Sequence, residues 1–144
     1  MSPPFPNAEL VPSLWFPLVK KFYQAHYPSG KPNKADPIWA IKENGTILAV
    51  ARLKQIGNSQ LLTGMVTSPS RRNTGLGQHL LSNLQPILKQ KASFCFALDH
   101  LTDFYQRGHF TIINEEALPK ELRARFNAYR SQGRNITAMQ YSFP

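Results

Sequence analysis

A basic, glycine-rich segment in the middle of the chain has the composition of an anion-binding turn. Arg71 and Arg72 precede the run Asn73-Thr74-Gly75-Leu76-Gly77, and leucines then recur at spacings of three and four residues. That spacing predicts an amphipathic helix that begins at Gly75. The first N–H groups of a helix have no acceptor within it, and together with the positive end of the helix dipole they bind anions such as phosphate. The segment is therefore a candidate phosphate-binding turn.

The segment matches neither of the two commonest phosphate-binding loops. A Walker loop continues with Lys and then Ser or Thr, whereas Gln78 and His79 follow Gly77 here. A dinucleotide-binding loop has a third glycine, and Leu80 stands at that position. The pattern that remains is Arg-x-x-Gly-x-Gly over residues 72–77. A helix start that follows a tight turn and binds nothing would look the same, so other segments must decide.

The hydrophobic pattern around this turn predicts an alternation of strands and helices. The predicted strands are 38–43, 46–56, 60–66, 93–98, 110–113 and 136–143, and the predicted helices are 13–26, 75–91, 101–107 and 119–131.

Four local features refine this prediction. Asn44-Gly45 predicts a tight hairpin between the first two strands, and Pro86 predicts a kink or a break in the helix 75–91. Gly64 lies inside a predicted strand, which indicates a bulge or a close backbone approach. The connection between strands 60–66 and 93–98 passes through a helix, so we expect these two strands to be parallel.

Length and composition favour one globular domain. The chain has 144 residues, of which 42% are hydrophobic, and this is enough for a real core. Residues 1–12 contain four prolines and are expected to form an extended N-terminal arm, and residues 13–144 are expected to form a single domain.

Features of the whole chain favour a cytoplasmic protein that does not enter a membrane. No apolar run approaches the roughly 18 residues of a membrane span, and the N-terminus lacks the apolar segment of a secretory signal. The single cysteine, Cys95, cannot form an internal disulfide, which fits a reducing compartment. Because Cys95 lies in an apolar run, we expect a buried core thiol.

The chain is strongly basic. It carries 17 Lys and Arg against 8 Asp and Glu, and its net charge is +9. This excess favours anionic partners, among them nucleotide cofactors, nucleic acid and acidic substrates. The basic residues are densest at Lys120, Arg123, Arg125, Arg130 and Arg134. No group of His, Cys, Asp and Glu has the spacing of metal ligands, so we expect no metal.

A second segment, residues 99–110, reads Asp-His-Leu-Thr-Asp-Phe-Tyr-Gln-Arg-Gly-His-Phe. It resembles the His-Leu-x-x-Phe-Tyr-x-x-x-Gly-Phe segment of small enzymes of the GNAT acyltransferase superfamily. The turn at 72–77 resembles the Arg/Gln-x-x-Gly-x-Gly/Ala signature of the same family, and the run Leu118-Pro119-x-x-Leu122 resembles its C-terminal part. One position departs from the family pattern: His109 stands where the family has glycine, and Gly108 lies one position earlier.

The resemblance extends from about Leu18 to the end of the chain and implies an α/β fold, with a mixed, mostly antiparallel central sheet and helices on both faces. It implies that acetyl-CoA lies where strands 60–66 and 93–98 splay apart, with its pyrophosphate in the glycine-rich turn. The cofactor-binding residues that it implies are Met65, Val66, Thr67, Arg71, Arg72, Asn73, Thr74, Gly75, Leu76, Gly77, Gln78 and Phe104.

The family's chemistry assigns three tasks to this chain. In GNAT enzymes an amine attacks the thioester of acetyl-CoA directly, in a ternary complex. The backbone N–H of Val66 or a neighbour would stabilise the oxyanion. Tyr105 matches the family tyrosine near the cofactor sulfur, and a phenol of reference pKa about 10 is a suitable general acid for a thiolate whose thiol has a pKa near 8.5. His100 is a candidate general base, beside other side chains or a water chain; those others are His26, Asp99, Asp103, Glu115 and Glu116.

Two other hypotheses stay open at this stage. The chain could be a non-catalytic CoA-binding module that keeps the fold without a base or an acceptor pocket. It could instead be a basic nucleic-acid-binding protein, or an acyltransferase that acts on a charged RNA, although no known nucleic-acid motif is visible. A nucleic-acid binder would lose affinity steeply with salt and would ignore CoA. The amine acceptor, which could be a small molecule, a peptide or a protein, is not specified by the sequence, and a homodimer is left open.

Overall fold

The computed structural model describes residues 5–142, which contain seven β-strands and five α-helices. The strands are β1 (Glu9–Leu10), β2 (Ile38–Glu43), β3 (Thr46–Ile56), β4 (Ser59–Thr67), β5 (Ala92–Leu98), β6 (Phe110–Ile112) and β7 (Ile136–Tyr141). The helices are α1 (Phe16–His26), α2 (Leu76–Asn83), α3 (Gln85–Leu88), α4 (Thr102–Arg107) and α5 (Lys120–Ser131). Short 3₁₀ turns lie at Ser13–Trp15, Pro69–Arg71, Asp99–Leu101 and Glu115–Ala117.

The strands form one mixed sheet in the order β1-β2-β3-β4-β5-β7-β6. β1 and β2, β2 and β3, β5 and β7, and β6 and β7 pair antiparallel, whereas β4 and β5 pair parallel. The predicted α/β class with a mixed, mostly antiparallel sheet is thus confirmed. The predicted parallel pairing of the strands on either side of the glycine-rich turn is confirmed as well, with Ser59 opposite Ala92 and Leu62 opposite Cys95.

Most predicted elements begin and end within a few residues of the observed ones, and the differences have local causes. β1 was not predicted, because a two-residue strand is too short to show an alternating pattern; it pairs with β2 inside the segment expected to be an extended arm. The break near Pro86 separates α2 from α3, and α3 ends at Leu88 rather than at the predicted residue 91. β7 ends at Tyr141, and residue 143 of the predicted last strand lies outside the described residues.

The contacts within the chain divide it into two compact units. The first contains the described residues up to Lys54 together with Thr63–Gln85, and the second contains Gln55–Leu62 together with the described residues from Pro86 onward. The boundary passes through β4, between Leu62 and Thr63. The single domain expected over residues 13–144 stays a prediction.

The core of the first unit lies between α1 and the strands of that unit. Pro17 lies in the first turn of α1, where a missing N–H costs no hydrogen bond. The helix face that follows is apolar and packs on β2, β3 and the end of β4. The buried residues of this cluster are Phe16, Val19, Phe22, Tyr23, Ile38, Ala40, Ile47, Val50 and Val66. The β2–β3 hairpin turns at Asn44 and Gly45, whose φ angles of 52° and 78° are those of the predicted tight turn.

The core of the second unit lies beneath α5. The buried residues of this cluster are Leu61, Phe94, Leu118, Leu122, Phe126 and Ala138. Cys95, the neighbour of Phe94 on β5, is a buried free thiol, as predicted, and burial raises its pKa above the ordinary range of a thiol. Burial therefore favours the neutral thiol, which is a weaker nucleophile than the thiolate.

A buried polar cluster closes the C-terminal end of α3. The side-chain amide of Gln60 donates to the carbonyl of Ile87 over 3.1 Å and to the hydroxyl of Ser93 over 2.9 Å. The Ser93 hydroxyl can donate to the carbonyls of Leu88 and Lys91, each at 2.9 Å. These bonds provide donors for carbonyls that a helix end leaves without intrahelical partners. They also explain how two polar side chains can be buried beside an apolar core.

The helices of residues 5–142 include none that is both long enough and apolar enough to cross a membrane.

Candidate cofactor and catalytic site

The glycine-rich turn leads from the 3₁₀ turn Pro69–Arg71 into α2 by way of two left-handed residues. Asn73 has a φ of 62°, and Gly75, which precedes the first helical residue, has a φ of 90°. Among residues 5–142, no side chain caps α2, and none of their other atoms lies within 4 Å of a Cβ added at Gly75. The space on the Cβ side of Gly75 is therefore open within this part of the chain. The first-turn N–H groups of α2 have no acceptor one turn back, as at any helix start.

The two arginines of the turn have different environments. The Nη2 atom of Arg71 lies 3.2 Å from Oε1 of Glu43, and both side chains are partly exposed. Arg72 is exposed, and within residues 5–142 it has no ion-pair partner. The Thr74 hydroxyl donates to the carbonyl of Arg71 and closes the turn. The turn thus presents one ion-paired arginine and one exposed arginine beside a helix start, which is a suitable arrangement for binding an anion.

The end of β4 carries the next group of predicted cofactor residues, Met65, Val66 and Thr67. Val66 is buried in the core of the first unit, whereas Met65 and Thr67 are half-buried. Just before them, Gly64 has a φ of 61°, and its carbonyl accepts a hydrogen bond of 2.6 Å from the Tyr23 hydroxyl. The predicted close approach at Gly64 is present, but the approaching atom is a side-chain oxygen rather than a second backbone.

The candidate acid and base lie in the second unit. Tyr105 is half-buried on α4, and its ring packs edge-on against Phe104 and Phe110, with centroids 5.0 and 5.9 Å away. His100 is exposed in the 3₁₀ turn before α4. The adjacent Asp99 accepts a bond of 2.7 Å from the Thr137 hydroxyl. The roles of Tyr105 and His100 stay predictions.

The departure from the family pattern at His109 has a simple structural outcome. Gly108, the residue after α4, has an ordinary φ of −93°, whereas His109 has a φ of 72°. The left-handed residue therefore stands at the position where the family has glycine. The histidine therefore takes a backbone conformation that glycine adopts without strain.

The sequence analysis missed the hydrogen bond from the Tyr23 hydroxyl to the Gly64 carbonyl. It is 1% exposed and belongs by pattern to the apolar face of α1, so nothing in its neighbourhood marks it as a partner of β4. The only sequence signal of this hydrogen bond was a glycine, Gly64, in the middle of a strand.

Among residues 5–142, no three His, Cys, Asp or Glu side chains lie close enough together to hold a metal ion.

Comparison with known proteins identifies the family. The model of the acetyltransferase (GNAT) family matches residues 7–110, which include both the glycine-rich turn and the segment 99–110. The chain therefore belongs to the GNAT acetyltransferase family. No curated protein sequence matches it.

Solved structures of low sequence identity share the fold. N-acetylglutamate synthase from Neisseria gonorrhoeae, complexed with coenzyme A and N-acetyl-glutamate, aligns with a TM-score of 0.72 and 17% identity over 99% of this chain and 36% of that chain. Rv2747 from Mycobacterium tuberculosis, in complex with CoA and NLQ, aligns with a TM-score of 0.75 and 14% identity over 96% of this chain and 100% of that chain. The ribosomal-protein-S18-alanine N-acetyltransferase from Escherichia coli aligns with a TM-score of 0.63 and 13% identity over 95% of this chain and 94% of that chain. This chain spans only about a third of the synthase.

Proposed function

We propose that this chain is an N-acetyltransferase that moves the acetyl group of acetyl-CoA to an amine by direct attack in a ternary complex. The observation that carries the proposal is the start of α2, where Gly75 is left-handed, has open space on its Cβ side within residues 5–142 and stands beside Arg71 and Arg72. Membership of the GNAT family supports acetyl transfer in general. The CoA complexes among the structural neighbours support acetyl-CoA as the donor.

The pyrophosphate of acetyl-CoA would lie against the helix start. Backbone N–H groups at Gly75 and Gly77 would donate to its oxygens, and the exposed guanidinium of Arg72 would pair with it. Arg71, held by Glu43, would contribute charge from a fixed position. The full proposed set is the one that the family pattern implies: Met65, Val66, Thr67, Arg71, Arg72, Asn73, Thr74, Gly75, Leu76, Gly77, Gln78 and Phe104.

The proposed reaction forms one amide bond and breaks one thioester bond. The lone pair of a neutral amine attacks the acetyl carbonyl carbon, and the carbonyl electrons move onto oxygen, where a backbone N–H near Val66 stabilises the charge. The tetrahedral intermediate collapses and expels the CoA thiolate, which takes a proton from the Tyr105 hydroxyl. The amine proton leaves to a base, for which His100 or a water molecule is proposed. The products are the acetylated amine and CoA.

The acceptor class is proposed from the neighbours' own substrates. Those neighbours include enzymes named for a glutamate product, for a ribosomal protein's alanine and for the 6′-amine of an aminoglycoside. In each of these reactions the group that receives the acetyl group is an amine, and the molecules that carry it range from an amino acid to a protein. We therefore propose an amine acceptor without choosing among these sizes.

The test is a CoA-release assay against a panel of amino acids, peptides with free N-termini, polyamines and aminoglycosides. We expect at least one amine to raise the rate of CoA release and to yield its N-acetyl product by mass spectrometry. Saturable binding of acetyl-CoA with no acetylated product from any class would contradict an enzyme and would instead support the non-catalytic CoA-binding module.

A further inference from the structure

The hydroxyl of Tyr23 reaches out of the core of the first unit to one backbone atom of β4. It lies 2.6 Å from the carbonyl oxygen of Gly64, and the tyrosine is 1% exposed. Burial, opposed in part by the charge of Arg52, raises the pKa of the hydroxyl above the ordinary range of a phenol. Burial therefore favours the neutral hydroxyl, and the geometry makes this hydroxyl the donor to the Gly64 carbonyl.

Gly64 is the residue that allows this bond. Its φ of 61° is left-handed, a conformation that residues with a Cβ rarely adopt. An added Cβ would stand 2.9 Å from the Tyr23 oxygen and 3.4 Å from Nε of Arg52. A side chain at this position would thus both strain the backbone and push against the hydroxyl. Glycine at 64 and tyrosine at 23 form a matched pair.

The hydrogen bond to the Gly64 carbonyl also sets the direction of the Met65 N–H, because both groups belong to one planar peptide unit. The carbonyl of Gly64 and the N–H of Met65 belong to one trans peptide, in which they point in opposite directions. When Tyr23 holds the carbonyl on its own side, the Met65 N–H must point to the other side. A carbonyl that accepts a strong hydrogen bond also polarises its peptide, which makes the attached N–H a better donor.

We propose that Tyr23 is a positioning residue for acetyl transfer: through Gly64 it aims the Met65 N–H at the acetyl carbonyl oxygen of bound acetyl-CoA. This inference rests on the proposed function, which places the oxyanion donor at Val66 or a neighbour, and it selects Met65 as that donor. A donor of this kind stabilises the transition state only when it is held in place before the reaction. The helix α1 would then serve catalysis through one hydroxyl, without touching the substrate.

The test uses the full chain and acetyl-CoA labelled with ¹³C at the thioester carbonyl, whose stretching frequency is measured by difference infrared spectroscopy. In the unaltered protein we expect a frequency below that of free acetyl-CoA, because a donor weakens the C=O bond. In Tyr23→Phe, which removes only the hydroxyl, most of this lowering should be lost, and the rate of acetyl transfer should fall by about tenfold or more. The affinity for acetyl-CoA should be unchanged, since the pyrophosphate contacts lie elsewhere.

Two further variants make the experiment specific. Tyr27→Phe removes the hydroxyl of a more exposed tyrosine one turn further along the chain, and it should leave the frequency unchanged. Gly64→Ala keeps both hydroxyl groups but disturbs the matched pair, so it should lose the frequency shift as Tyr23→Phe does. If Tyr23→Phe does not fold, the carbonyl frequency measured in Gly64→Ala tests the inference in its place.

The outcomes separate the inference from the proposed function. If Tyr23→Phe keeps the full lowering, or if the unaltered protein binds acetyl-CoA without any lowering, Tyr23 does not position an oxyanion donor and the inference is wrong. If the unaltered protein does not bind acetyl-CoA, the proposed function is wrong, and the inference fails with it.

Discussion

Tyr105 is the side chain on which the proposed chemistry depends most directly. Its ring packs against Phe104 and Phe110, and a phenylalanine would keep these contacts. We therefore expect Tyr105→Phe to fold normally and to bind acetyl-CoA with unchanged affinity. The turnover number should fall by about 10²–10⁴-fold, as is typical when a general acid is lost.

Tyr129→Phe is the matched control for this experiment. Tyr129 is also half-buried, and its ring also packs edge-on against a phenylalanine, Phe96. It has no proposed part in the reaction, so steady-state kinetics should show no change. A Tyr105→Phe variant as active as Tyr129→Phe would remove Tyr105 from the mechanism.

His109 offers a prediction about stability at the same scale. A non-glycine residue in the left-handed region costs about 1–2 kcal/mol, whereas glycine adopts it freely but loses more entropy on folding. His109→Gly should therefore raise the free energy of unfolding, by a net amount of about 0.5–1 kcal/mol. Urea denaturation measures this difference in the free energy of unfolding. His100→Gly, at a histidine without a positive φ, should lower stability instead, and a loss of stability in both variants would contradict the argument.

At the scale of the element, the start of α2 makes the sharpest prediction. Gly75→Val places a β-branched residue at a φ of 90°, so the turn must change its backbone even though an added Cβ meets no other atom of residues 5–142 within 4 Å. We expect the protein to stay folded, with a modest loss of stability, and acetyl-CoA binding to be abolished. Calorimetric titration would measure the binding.

Gly133→Val is a close control for that variant. Gly133 follows α5 and has a φ of 88°, and a Cβ added there would also meet no other atom of residues 5–142 within 4 Å. The cost in backbone strain should be similar, yet acetyl-CoA binding should persist. Equal losses of affinity in both variants would show that general destabilisation, rather than the cofactor turn, is responsible.

The polar cluster at the end of α3 predicts a stability effect that composition alone would not suggest. Gln60→Leu makes a buried position apolar but leaves the Ile87 carbonyl without its side-chain donor. Losing that bond should cost about 1–3 kcal/mol of unfolding free energy. Gln106→Leu, at an exposed position on α4, should change stability by no more than about 0.5 kcal/mol. Equal stability of the two variants in thermal unfolding would contradict a structural role for Gln60.

At the scale of the whole molecule, local patterns determined most of what could be predicted. The hairpin at Asn44-Gly45, the break at Pro86 and the parallel pairing of β4 with β5 each follow from a local rule of turns, helices or crossovers. β1 and the bond from Tyr23 to Gly64 were missed, because they depend on residues distant in sequence whose own patterns show nothing unusual. The same limit applies to His109, since its left-handed conformation is set by the end of α4 rather than by its residue type.

The basic surplus of the molecule has a partly structural explanation. Arg123 donates to the carbonyls of Glu116 and Leu118, and Arg130 pairs with Glu115 over 3.9 Å. Arg134 stacks on the ring of Tyr129 at 4.7 Å. Three of the five residues in the densest basic cluster thus make contacts within the chain. Binding of nucleic acid stays a prediction, and a steep loss of affinity with salt would be its signature.

Calorimetric titration of the purified chain with acetyl-CoA at moderate salt tests the central claim most directly. We predict saturable binding at one site per chain, with the heat of binding absent from Gly75→Val and retained in Gly133→Val. A titration of the unaltered protein that shows no binding would mean that the glycine-rich turn is purely structural, and it would contradict the proposal that this GNAT protein uses acetyl-CoA.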